Sequence, residues 1–166
     1  MENLLDKESV KRVIKVLNDF DTTLKVQVLD SSARTAKDAA RSLNSEVGSI
    51  IKSLFLRTKN SFLLCLIAGD KRCSLNKIKK ILGEKDVSMG NADQVKEVTG
   101  FTIGGVSPVA HINPLKIYID QSLSRFKNIY GAAGHPNCIF KIDFQNLKKI
   151  TKGEVMDISE WKILNL

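Results

Sequence analysis

The stretch that most restricts the fold is Ser49–Arg57, SIIKSLFLR, a β-branched and aromatic run with a lysine inside it. Read as a strand, period-two alternation sets Ile50, Lys52, Leu54 and Leu56 on one face and Ile51, Ser53, Phe55 and Arg57 on the other. Lys52 then shares its face with large aliphatic side chains, a costly place for an ammonium unless something uses it. Two explanations stand side by side: the lysine serves the floor of a pocket, or it protects an exposed sheet edge from pairing. After the polar Lys59-Asn60 comes a second apolar run, SFLLCLIA, and the two runs together read as a hairpin.

The remaining elements are short. Ser9–Phe20 has Val10, Val13, Ile14 and Leu17 at helical spacing, with Ser9 as a candidate cap. Leu24–Leu29 alternates as a half-buried strand. Thr35, with Asp38 in a capping-box-like position, opens a helix over AKDAARSLN. Ser74–Leu82 reads as a basic helix with Leu75, Ile78, Ile81 and Leu82 inward, and Asn91–Thr99 as a helix closed by Gly100. Gly104, Gly105 and Pro108 exclude Phe101–His111 from a packed central strand, so it is a loop. Leu115–Asp120, Asn128–Ala132, Cys138–Asp143 and Glu154–Ile158 are strand-like. A last helix starts at Asp143 or Asn146 and runs through Ile150. Many strands with short helices scattered between them predict one α+β domain over residues 1–166, built on a single mixed, strongly curved, barrel-like sheet with short flanking helices.

The totals narrow the function. The 166 residues are 43% hydrophobic and 27% charged, the make-up of an ordinary soluble globule. Twenty-six Lys and Arg against eighteen Asp and Glu leave +8, which favours polyanionic partners. No apolar run approaches the ~20 residues of a membrane-spanning helix, so no membrane partner is expected. The N-terminal stretch does not read as a leader, and a cytoplasmic location is expected. Cys65, Cys73 and Cys138 show no CxxC spacing, which argues against a disulfide framework or a zinc site. P-loop, GxGxxG, GxSxG and HExxH motifs are absent, and nothing selects a nucleophile to pair with His111 or His135.

Two glycine-bearing loops remain. Gly104-Gly105-Val106-Ser107-Pro108 exposes successive backbone N–H groups, either as a nest for a phosphate, carboxylate or oxyanion or simply as a tight turn. Gly131-Ala132-Ala133-Gly134, followed by His135, is either a small-residue wall beside a cavity or a bend.

In this order, TAKDAARSLN, SIIKSLFLR, GFTIGGVSPVAH and GAAGHPNCIFKIDFQNLKKIT resemble the YbaK family of aminoacyl-tRNA deacylases, relatives of the editing insertion domain of bacterial prolyl-tRNA synthetase. The resemblance spans about residues 24–158. It implies a mixed α/β fold, no metal, no cofactor, and hydrolysis of the ester that joins a wrong amino acid to the 3′ end of a tRNA. The family's key lysine falls on Lys52. Its GxxxP loop falls on Gly104 and Pro108, with Gly105, Val106 and Ser107 between them, and the wall near the amino-acid side chain falls on Gly134 and His135. No role follows for His111. Relatives that clear cysteine usually carry an arginine- and glycine-rich segment where this chain has GAAGHPN, so a small side chain such as Ala, Ser, Thr or 2-aminobutyrate is expected instead. The expected partners are a mischarged tRNA and an aminoacyl-tRNA synthetase. The alternatives are a non-catalytic module of the same fold that docks tRNA or a synthetase, and a general basic RNA-binding protein.

Overall fold

The computed structural model describes residues 3–30 and 35–162. Its centre is the apolar run after the hairpin turn, strand β3 (Phe62–Ala68), buried from Leu63 onward. A strand buried on both faces has no polar side to alternate with, which is why FLLCLIA is continuous. In chain order the other strands are β1 (Val26–Val28), β2 (Ile51–Arg57), β4 (Lys71–Cys73), β5 (Ser88–Met89), β6 (Lys116–Asp120), β7 (Ile129–Ala132), β8 (Cys138–Ile142), β9 (Glu154–Met156) and β10 (Ser159–Trp161). The helices are α1 (Glu8–Phe20), α2 (Ala36–Leu43), α3 (Leu75–Leu82), α4 (Ala92–Thr99) and α5 (Phe144–Thr151).

The strands form three sheets: five strands in the order β5-β2-β3-β6-β9, three in the order β1-β8-β7, and the two-stranded ribbon β4-β10. The large sheet is mixed, as expected, with β2 antiparallel to β3 but β3, β6 and β9 parallel. The expected barrel is not formed. The large sheet ends on β5 and β9, which do not pair with each other, and β2 meets the three-stranded sheet through one isolated parallel bridge, Ile50 with Tyr130. A barrel needs a continuous ladder around its circumference; here the ladder stops at two short edge strands.

One face of the large sheet, with Ile51, Phe55, Leu64, Leu66, Ile117 and Ile119, packs on α1, α5 and the three-stranded sheet. The other, with Leu56, Leu63, Cys65, Ile67 and Tyr118, packs on Ile78 of α3 and on Ile158. Local chemistry explains most element ends. Thr35, Ser74 and Asp143 each accept a hydrogen bond from the third residue on, and Asn91 with Gln94 forms a full capping box. Ser9 is not a cap: Lys7 holds that position, and the Ser9 hydroxyl donates to the Gly134 carbonyl at 2.9 Å. Ile81 points outward rather than into the core. The small strands β4, β5 and β10 carry no alternating apolar pattern to announce them. Buried Asp120 fixes β10 by accepting from the Ile158 N–H (3.0 Å) and the Ser159 hydroxyl (2.7 Å), which sets the β4-β10 ribbon against the Lys52 end of β2. None of the described helices is long and apolar enough to cross a membrane.

Candidate active site

The large sheet and the three-stranded sheet touch at Ile50–Tyr130 and then separate. Beyond that bridge β5 covers β2 only at Leu56 and Arg57. The outer edge of β2 over Ile51–Leu54 is therefore open, and a cavity of about 220 Å³ lies along it. Its floor is Ile50–Leu54; Tyr130, Gly131, Ala132 and Ile139 form one wall, Thr35, Ala36 and Ala39 the other, and Gly104, Val106 and Pro136 the lip.

The open edge gives the cavity polar groups that no side chain supplies. The Phe55 carbonyl accepts from the Gly90 N–H on the outer side of β2. Backbone groups of alternate residues point the same way along an antiparallel strand, so the N–H and C=O of Ser53 also face outward. The Ser53 hydroxyl is buried with no hydrogen-bond partner among the described residues, in a residue that lines the cavity. A buried hydroxyl left unpaired carries a desolvation cost.

Lys52 is half-buried and also lines the cavity, on the face shared with Leu54 and Leu56. Its ammonium donates to the Lys71 carbonyl. An ammonium has three donors, so two remain for a ligand. Burial, then the nearby Lys162 ammonium, pull its pKa below the ordinary lysine value, while Asp70 and Cys73 act the other way. Cys73 and Cys65, distant in the spacing, meet across the β3–β4 turn. Their mutual interaction raises the Cys65 thiol and lowers that of Cys73, with Lys52 helping the latter.

The structure brings the two glycine loops together but gives their residues different roles. Gly104 and Val106 reach the cavity. Gly105 is buried, its N–H closing a turn on the Thr102 carbonyl, and a Cβ there would lie 3.2 Å from the Gly134 and His135 backbone. Ser107 is buried; its hydroxyl accepts from the Val109 N–H, and its carbonyl meets His111 Nε2 at 2.7 Å. Pro108 packs behind the wall, where a Cβ on Gly131 would meet its Cγ at 3.1 Å. Gly134 (φ +91°) turns against α1, where a Cβ would lie 2.6 Å from the Ser9 carbonyl oxygen. His135 Nδ1 accepts from the Asn137 N–H, and the neighbouring Pro136, not His135, lines the cavity. His111, for which the motifs offered no role, ties down the carbonyl of Ser107 and so braces the loop. Ser53, Tyr130 and Pro136 are lining residues that motif reasoning passed over; the one signal was a serine between the apolar Ile51 and Phe55 on the same strand face.

A cleft between two sheets, floored by an open strand edge and flanked by an ammonium, is the candidate site of this mixed α+β fold. The sequence model of the aminoacyl-tRNA editing domain matches residues 30–150. A solved structure described as a candidate trans-editing enzyme for prolyl-tRNA synthetase superposes with a TM-score of 0.88 at 35% identity, covering 93% of this chain and 98% of that one. The chain belongs to the aminoacyl-tRNA editing domain family. It is 29% identical over 102 residues to the proline–tRNA ligase of Thermosipho africanus, covering 61% of this chain but only 18% of the ligase. It is 28% identical over 148 residues to YwhH, an uncharacterised protein of Bacillus subtilis, covering 89% of this chain and 94% of YwhH. The chain thus spans about a fifth of the ligases it matches.

Proposed function

We propose that the chain is an aminoacyl-tRNA deacylase acting in trans, hydrolysing the ester of a tRNA charged with a wrong, small amino acid. The observation that carries this reading is the cavity on the β2 edge, which sets the Lys52 ammonium and the unpaired Ser53 hydroxyl around a space of about 220 Å³. The near-complete overlap with a freestanding relative supports action in trans. Walls of Ala36, Ala39, Gly131 and Ala132 suit a compact side chain.

An aminoacyl ester is already activated, so a positioned water and charge stabilisation suffice. Lys52 anchors the terminal adenosine phosphate or the ester region; burial and the Lys162 ammonium lower its pKa, and an arriving phosphate would favour its charged form. The outward Ser53 carbonyl and hydroxyl pair with the substrate's α-ammonium and hold it in register. Water adds to the ester carbonyl carbon, and collapse of the tetrahedral oxyanion breaks the bond to the ribose oxygen, releasing the amino acid and the tRNA 3′ end. Backbone N–H groups at the Gly104–Pro108 lip face that oxyanion, although Gly105 is excluded because its N–H is taken by Thr102. No carboxylate or imidazole is among the described lining residues, so a backbone carbonyl or substrate hydroxyl orients the water by accepting its hydrogen bond, and the water's proton ends on the departing ribose oxygen.

Hydrolysis of a panel of mischarged tRNAs tests the reading. Turnover is expected for Ala-, Ser-, Thr- or 2-aminobutyryl-tRNA and is lost by roughly a hundredfold or more in Lys52→Ala with the fold intact. Binding without turnover on any member would identify a docking module instead, and near-normal turnover by Lys52→Ala would remove the lysine from the mechanism.

A further inference from the structure

Trp161 is the chain's one tryptophan and is 61% exposed. It stands on β10 directly opposite Lys71 of β4. Its surroundings are cationic rather than apolar: the Lys71 ammonium lies 4.6 Å from the ring centroid and the Arg125 guanidinium 5.3 Å. The same ribbon touches the cavity residue Lys52, whose ammonium donates to the Lys71 carbonyl, and Lys162 donates to the adjoining Gly69 carbonyl at 3.1 Å. The acids of this region are engaged. Asp70 takes both arms of Arg125 (2.7 and 3.0 Å), and Glu160 takes Arg72 at 2.8 Å. Lys52, Lys71 and Lys162 meet no carboxylate within ion-pair distance among the described residues, so three ammonium groups remain for an anionic ligand beside one flat ring.

An exposed ring beside unpaired ammonium groups is poorly suited to an apolar protein partner and well suited to single-stranded nucleic acid, in which every base has a stacking face and every linkage a charge. We propose that the β4-β10 ribbon is a platform for the unpaired nucleotides that lead into the cavity: Trp161 stacks a base, and Lys71 and Lys162 take the adjoining phosphates. This rests on the deacylase reading for the identity of the strand, but not for the binding chemistry.

Because Trp161 is the only indole, its emission reports the platform directly. Titration with a short single-stranded RNA ending in CCA should quench that emission saturably. In an anisotropy assay with the same RNA labelled, Trp161→Ala should weaken binding about five- to a hundredfold. Trp161→Phe, which keeps a ring and the ribbon's packing, should recover most of it. Lys71→Gln and Lys162→Gln should each weaken it at low salt. Unchanged emission at saturating RNA, equal quenching by base-free polyphosphate, or stronger quenching by an acidic peptide would each overturn the platform. Quenching without deacylation of any mischarged tRNA would uphold it and sink the hydrolysis reading; deacylation without quenching would do the reverse.

Discussion

At the scale of single residues, the most informative conflict lies between what Ser53 does for the fold and what it is placed to do for a ligand. Its hydroxyl is buried and unpaired, a net cost to the empty protein. Ser53→Ala should therefore leave stability unchanged or raise it by up to about 1 kcal/mol. Its kcat/KM for the preferred mischarged tRNA should fall roughly tenfold, the worth of one buried hydrogen bond. Urea unfolding alongside single-substrate kinetics separates the two effects, and a variant that loses both stability and activity would make Ser53 a packing residue. Lys52 was legible in the sequence because a charge on an aliphatic face is a local anomaly that alternation exposes. Ser53 was not, because a serine in a strand is unremarkable until the neighbouring strand is seen to be missing. His135 follows the motif, while its ring accepts from the Asn137 N–H and Pro136 takes the lip.

Among the elements, the paired loops decide whether the lip exists. Gly134 combines a positive φ with a Cβ position 2.6 Å from the Ser9 carbonyl oxygen, so Gly134→Ala should cost about 1–3 kcal/mol by thermal or urea unfolding. At Gly105 the same change meets backbone at 3.2 Å without left-handed strain. It should cost less stability than Gly134→Ala while still shifting the lip and lowering turnover. The Gly104–Pro108 loop also depends on pH through His111. Burial first, then the Arg12 cation, hold its pKa below the ordinary 6.5, against the opposing bond to Ser107. An unfolded chain takes up that proton near 6.5 while the folded one resists until lower pH, so His111 favours folding above 6.5 and the advantage is lost as pH falls through the folded value. Thermal unfolding between pH 5 and pH 7.5 should show that decline, and His111→Gln, which keeps a donor for Ser107, should flatten it. Helix caps and the β2–β3 hairpin were readable because their signals are contiguous. The loop pairing was not, since 30 residues separate Gly104 from Gly134 and only the fold brings them together.

For the whole molecule, the strand pattern misled where connectivity decides. Numerous short strands suggested closure, yet strand count carries no information about which edges meet, and the parallel pairs β3-β6 and β6-β9 leave β5 and β9 at opposite ends. The failure to close is what opens the cavity along β2, so the missing barrel and the site have one cause. Net charge poses the corresponding question for binding. A chain at +8 holds RNA through its general field or through a few placed ammonium groups, and salt distinguishes the two. Each phosphate contact on a single strand contributes about 0.7 to the slope of log affinity against log salt. If Lys52, Lys71 and Lys162 are the contacts, a short single-stranded RNA should bind with a slope of magnitude about 2, and Lys52→Ala should lower it by about 0.7. A protein that grips through its whole basic surface would give a much steeper slope, insensitive to any one lysine. Anisotropy titrations between about 50 and 300 mM salt on the wild type and Lys52→Ala measure both quantities. A steep slope shared by the two proteins would return the chain to the class of general basic RNA binders.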